Sequence, residues 1–126
     1  MTEIVLDAGA LIAIERGDQR VRAYIFLAEQ GHVTMTTSSA VVAQAWRGGA
    51  RQVRLARLLS SDLVTEVPLD QAASRRIGVV AAAVGASDVI DGHVAVIALE
   101  RDAVVVTSDP SDIACWGVAE DKIVAC

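Results

Sequence analysis

The chain is poor in the residues that mark several protein classes. It has two cysteines, two prolines and four aromatic residues (two Trp, one Tyr, one Phe) among 126. Cys115 and Cys126 form no CxxC pair and no Cys/His ligand cluster. A disulfide framework is excluded on that count, and a reducing, cytoplasmic setting is the expectation. No stretch approaches 18 uninterrupted apolar residues, so no membrane span is expected. Thr2, Glu3 and a short strand-like run follow Met1, where a secretory leader would carry a basic and then an apolar region, so no leader is expected. A basic excess is also missing. Eleven Lys and Arg stand against sixteen Asp and Glu, a net charge of −5, which argues against a broad electrostatic grip on nucleic acid but not against a local basic strip. There is no GxGxxG turn for a dinucleotide, and no linker, repeat or low-complexity tract, so residues 1–126 read as one domain.

What is present is apolar and finely divided. Hydrophobic residues make up 53% and mean hydropathy is +0.45, enough for a core of Val, Ala, Leu and Ile and for an apolar patch that a partner would cover. Short β-branched runs alternate with helical spacing. Strands are expected at Glu3–Leu6, His32–Met35, Leu63–Val67, Ala103–Thr107 and, at an edge, Lys122–Ala125. Helices are expected at Ala8–Ile14, from Asp18 to about Gln30, Ala40–Trp46 with Thr37, Ser38 or Ser39 as cap, Ala50–Leu59, Asp70–Val84 and Asp88–Glu100. Pro110–Cys115 fits one further turn. Alternation of this kind implies a mostly parallel sheet covered on both faces.

The acids fall at the joints of this pattern. Asp7 follows the first strand, Asp88 and Asp91 open the sixth helix, and Asp109 and Asp112 follow the fourth strand. In a parallel sheet, ligands bind outside the carboxyl ends of strands. If the first and fourth strands are neighbours, these carboxylates converge there. Crowded carboxylates repel unless a cation lies between them, and Mg²⁺ or Mn²⁺ prefers such hard oxygen ligands. The chemistry this suggests is metal-assisted phosphodiester hydrolysis. Each acid is also a good helix cap, and Asp109 before Pro110 is an N-cap followed by Pro at the first helical position. Capping and ligation remain open together.

Four segments carry a family resemblance: VLDAGALIAI at 5–14, TSSAVVAQAWRGG at 37–49, DGHVAVIALERDAVVVTSD at 91–109 and PSDI at 110–113. In this order and at this length, the chain resembles a PIN domain, in particular the VapC-like toxin ribonucleases of type II toxin–antitoxin systems. The resemblance implies a three-layer α/β/α fold and divalent-metal-dependent endonuclease cleavage of RNA. It implies that Asp7, Asp91 and Asp109 hold the metal, with Asp112 as a frequent accessory acid and Asp88 as a cap or supporting group. It also implies a VapB-like antitoxin and a homodimer, with Tyr24, Ile25 and Leu27 near a contact face. One position departs from the pattern. The family's third helix carries a glutamate where this chain has Gln44, which offers a carbonyl oxygen but no charge and no general base. Metal affinity is expected to fall, and a PIN-like module that binds RNA or protein without cutting is the alternative.

Other residues are weaker candidates. Arg47, Arg51, Arg54 and Arg57 lie along one side of the fourth helix and its entry. They fit either RNA phosphates or a solvated face opposite Leu55, Leu58 and Leu59. Thr107 and Ser108 can donate to Asp109 or to a phosphate, or satisfy local backbone. His93 and His32 read as structural, and Trp46 and Trp116 as core or interface anchors rather than stacking platforms. Two acidic-site alternatives fail on residues. A receiver domain needs an acidic pair ahead of its strand-one Asp, and a haloacid dehalogenase phosphatase needs D-x-D, where this chain has Gly9.

Overall fold

A computed structural model describes residues 1–126. Five strands form one sheet in the order β3-β2-β1-β4-β5. They are β1 (Thr2–Leu6), β2 (Val33–Ser38), β3 (Val64–Val67), β4 (Val104–Thr107) and β5 (Ile123–Ala125), and every neighbouring pair is parallel. The helices are α1 (Ala8–Glu15), α2 (Gln19–Glu29), α3 (Ser39–Ala45), α4 (Val53–Leu59), α5 (Gln71–Val84), α6 (Val89–Arg101) and α7 (Pro110–Ala114). Parallel strands need crossovers, and right-handed crossovers put α1 to α4 on one face and α5 to α7 on the other. The packing agrees: α1 lies against α3 and α4, and α6 against α5 and α7. The expected three-layer α/β/α architecture is the one observed, with the sheet wholly parallel.

β1 and β4 are buried on both faces, so their inner residues (Val5, Leu6, Val105, Val106) are apolar without alternation. Two boundaries differ from the sequence reading. β2 runs on through Thr36, Thr37 and Ser38, because Thr37 Oγ1 donates to Leu6 O at 2.8 Å and Thr36 Oγ1 to Glu3 Oε1 at 2.9 Å. Of the three hydroxyls expected to cap the third helix, Thr37 is thus satisfied inside the sheet, while Ser38 is the cap and accepts from the Ala40 amide at 3.0 Å. The expected helix at 50–59 opens as a 3₁₀ turn, Ala50–Gln52, before α4 begins. Elsewhere the ends move by one or two residues.

The order 3-2-1-4-5 fixes where a site can form. From β1 the chain winds outward through β2 to β3, then crosses back to β4 and on to β5. The reversal leaves a switch point between β1 and β4 at their carboxyl ends. α6 feeds β4 and runs back along the sheet, so its N-terminus arrives at this same edge.

Candidate acidic site

Asp7 extends β1 by one residue, its amide donating to Val106 O at 3.0 Å. Its carboxylate is buried and engaged twice: Oδ1 accepts from the Ala8 amide at 2.8 Å and Oδ2 from Thr107 Oγ1 at 2.7 Å. The same Thr107 oxygen accepts from the Asp109 amide at 3.0 Å. One buried hydroxyl therefore sets both Asp7 and the backbone of Asp109. It serves Asp7 rather than the Asp109 side chain or a solvent-facing group. Thr107→Val keeps the shape and loses both bonds. Unfolding in urea is expected to show a loss of about 1–3 kcal/mol, with Thr107→Ser recovering most of it; a valine variant as stable as the parent would refute the role.

Asp109 occupies the N-cap position of α7, yet its side chain makes no cap bond. The sequence-based capping reading fails here, and the carboxylate is left exposed, with only Ser108 Oγ at 3.4 Å. Asp88 does cap, accepting from the Ile90 and Asp91 amides at 3.0 and 3.1 Å. That leaves Asp91 in the first turn of α6 without a capping task, partly buried. Asp112 lies exposed in the first turn of α7.

These acids feel one another. Burial, and then repulsion from Asp88, Asp7, Asp112 and Asp109, pushes the Asp91 carboxyl up to about 6. Five carboxylates drawn from β1, α6 and the β4–α7 junction thus share one electrostatic neighbourhood. No three acidic, His or Cys side chains already stand as a ligand group, so the cluster is gathered but open. Its donors are hard oxygens, and like-charge repulsion adds to the burial that disfavours charge on Asp91. Both suit a divalent cation of the Mg²⁺ or Mn²⁺ kind, whose charge would offset that repulsion.

Two glycines let the elements approach. A Cβ on Gly9 would lie 2.6 Å from Ser108 Cβ and 2.9 Å from its amide nitrogen, so α1 rests directly on the loop carrying Asp109. A Cβ on Gly92 would lie 2.5 Å from the six-membered ring of Trp116, which is fully buried. Trp116 is a core residue beneath the first turn of α6, as read from the sequence.

The remaining candidates make other contacts. Gln44 is exposed on α3, whose buried face is Val41 and Ala45. Arg54 and Arg57 line a cleft between α2 and α4 with Arg22 and Glu29, and none of the five clustered acids lines it. Arg54 also reaches Glu15 O at 3.3 Å. Arg47 folds onto Trp46 O at 2.7 Å, and Arg51 is exposed at the entry to α4. Trp46 is 41% exposed at the end of α3. His93 is fully buried in the core, where Ser38 Oγ lies 2.6 Å from its Nδ1. Ser38 Oγ also accepts from the Ala40 amide, and the imidazole tautomer sets which of Ser38 and His93 donates to the other. Burial lowers the His93 pKa, with Arg76 adding to it; the ring is neutral and structural.

Sequence reasoning passed over Gln52. It is 4% exposed and uses its whole amide. Oε1 accepts from the Arg47 and Gly48 amides at 2.8 and 2.9 Å, while Nε2 donates to Glu15 Oε1 and Ala45 O at 2.6 and 2.8 Å. It ties the Gly-Gly loop after α3 to α1. The pair of glycines hinted at a loop needing an anchor, but nothing local named the residue.

Fold and cluster together define an α/β protein with an acidic site at its topological switch point. The chain belongs to the PIN domain family, whose description matches residues 4–112. Its fold is similar to the VapBC2 structure from Rickettsia felis bound to a promoter DNA fragment, with a TM-score of 0.68 and 15% identity over 99% of this chain and 98% of that one. It is also similar to VapC20 of Mycobacterium tuberculosis, a toxin that cleaves the sarcin–ricin loop, with a TM-score of 0.64 and 16% identity over 93% and 97%. A third similar fold is FitAcB from Neisseria gonorrhoeae, with a TM-score of 0.58 and 23% identity over 92% and 94%. By sequence alone, no curated protein matches the chain. No single helix is long and apolar enough to cross a membrane.

Proposed function

We propose that the chain is a divalent-metal-dependent endoribonuclease of the VapC toxin type, working in the cytoplasm as a homodimer and restrained by a VapB-like antitoxin. The observation that carries this reading is the convergence on Asp91, whose carboxyl is raised to about 6 by burial first and then by four other aspartates. PIN domains are generally nucleases, and one similar structure is an RNA-cleaving toxin. The VapBC2 neighbour, bound to promoter DNA, supports the antitoxin partner.

In this reading Asp7, Asp91 and Asp109 hold Mg²⁺, or Mn²⁺, with Asp112 in support and Asp88 fixing the turn that carries Asp91. The ion, when bound, supplies Lewis-acid polarisation of a phosphoryl oxygen and a more acidic water. The chain's own part is placement. Thr107 and the Ala8 amide hold Asp7 in one orientation. Thr107 sets the backbone of Asp109, and Asp109 keeps its carboxylate free of cap bonds. Asp91, charged above about pH 6, completes the negative site.

A second reading, a PIN-like module that binds without cutting, is favoured by Gln44, which brings no charge from α3. Calorimetry with Mn²⁺ and cleavage of single-stranded RNA in Mg²⁺ separate the two. The nuclease reading expects cation binding, cleavage lost in Asp7→Asn, and binding tightened about tenfold in Gln44→Glu. Cleavage that survives Asp7→Asn unchanged would remove the site assignment. RNA binding with no cation binding in either Gln44 form would decide for the binding module.

A further inference from the structure

The acidic cluster borders a cleft that the proposed reaction leaves unused. It has a volume of about 480 Å³, lies between the end of α1, the turn into α2 and the loop after β4, and is lined by Ile12, Ala13, Arg16, Asp18, Ser108 and Cys126 among others. Its size is within the range of ligand clefts. It is continuous with the acids: Ser108 precedes Asp109 and leans on its carboxylate, and the Cys126 amide donates to Thr107 O at 2.9 Å. Burial first, then Asp7, with Asp18 and Asp109 adding, raises the Cys126 thiol, which therefore stays protonated.

Arg16 gives the cleft its character. It is exposed and belongs to none of the chain's four ion pairs, which are Arg20–Asp18, Arg76–Glu100, Arg101–Glu3 and Lys122–Asp102. Asp18 faces the same cleft, but its Oδ1 accepts from the Arg20 and Val21 amides as the cap of α2. Ile12 and Ala13 form an apolar, partly buried wall, and Ser108 adds a hydroxyl. An unpaired guanidinium, an apolar wall and one hydroxyl are the means to hold a phosphate, a flat ring and a sugar. They adjoin a cluster whose own charge repels phosphate, so Arg16 supplies what the acids cannot.

We propose that this cleft holds the RNA nucleotide next to the scissile bond, with its phosphate on Arg16 and its base or ribose against Ile12 and Ala13. The proposal rests on the ribonuclease reading above. The test is binding of a fluorescent single-stranded RNA in EDTA across a salt series, followed by cleavage kinetics in Mg²⁺. Arg16→Gln is expected to weaken binding about tenfold and to lower the slope of log affinity on log salt by about 0.7, one phosphate's share on a single strand. It is expected to raise KM more than it lowers kcat. Arg16→Lys should keep the slope, since it keeps the charge, and Arg75→Gln, on the opposite layer, should change nothing. Ala13→Trp, which fills the cleft, should alter which sequences are cut. If the parent protein neither binds nor cuts RNA, the ribonuclease reading falls and this proposal with it. If the parent binds and Arg16→Gln matches it in affinity and slope, the cleft assignment alone is wrong.

Discussion

Asp91→Asn is expected to make the protein more stable at neutral pH and inactive. The Asp91 carboxyl titrates at about 6 in the fold against an ordinary value of 3.8. A raised folded value means that the native state holds this proton more tightly than the unfolded chain. Parental stability should therefore fall as pH rises from about 4 to about 6, then level off, with Asp91 ionised among its neighbours. The shift corresponds to about 3 kcal/mol at most. Partial exposure and the favourable place of an anion in the first turn of α6 reduce this to about 1–2 kcal/mol. Asparagine removes the charge and the slope. Thermal melts at pH 7 in EDTA should show a rise of about 4–8 °C, and melts across pH 4–7 should lose the step near 6. Cation binding should fall at least tenfold and RNA cleavage at least a hundredfold in the same variant. A variant that melts no higher than the parent at pH 7 would mean that burial and the neighbouring acids do not raise the Asp91 carboxyl as described.

The opposite trade is expected of Gly92→Ala, one residue further along α6. Helix propensity favours alanine by about 1 kcal/mol, yet here its Cβ would meet the Trp116 ring at 2.5 Å. The indole is fully buried and has little room to turn, so overpacking should win, at a net cost of about 1–3 kcal/mol in urea unfolding. The clashing atoms are all in the outer ring of the indole. Trp116→Phe withdraws them, at the cost of a cavity. The pair should therefore be less destabilised than the sum of the two single variants, by about 1 kcal/mol or more. Strict additivity would show that Gly92 and Trp116 do not meet. Because Gly92 follows Asp91, the single variant should also weaken cation binding beyond what its stability loss explains.

The layout was legible from sequence wherever local pattern carried it. Val, Ile and Leu at β1 and β4, with Asp18 and Asp88 where α2 and α6 begin, marked the alternation and so the parallel sheet. The acids were legible by position, since strand-end aspartates in a parallel sheet have one edge to share. What escaped notice depends on contacts across the chain. Thr36 fell outside the expected second strand and Thr37 looked like a helix cap because their partners, Glu3 and Leu6, lie over thirty positions away. Gln52 looked like any helical glutamine until Glu15 was brought beside it. Asp109 before Pro110 satisfied every local rule for a cap, yet its carboxylate makes no cap bond. The arginines showed the converse: a clean helical spacing, spread between a cleft away from the acids and local backbone contacts.

The hydrogen bond from Thr107 to Asp7 joins residues a hundred positions apart, and that separation has a consequence in time. β1 is the central strand and the first to be made, but one of its two neighbours is β4. Parallel pairing at such long range makes for slow folding, because the intervening chain must be closed before the contact repays it. A nascent chain holding β1, β2 and β3 can already pair them in order, yet Asp7 then stands at an open sheet edge with neither Thr107 nor Asp109 beside it. The acidic neighbourhood arises only on insertion of β4, when most of the chain has been synthesised. The five acids can act together only once β4 has paired with β1.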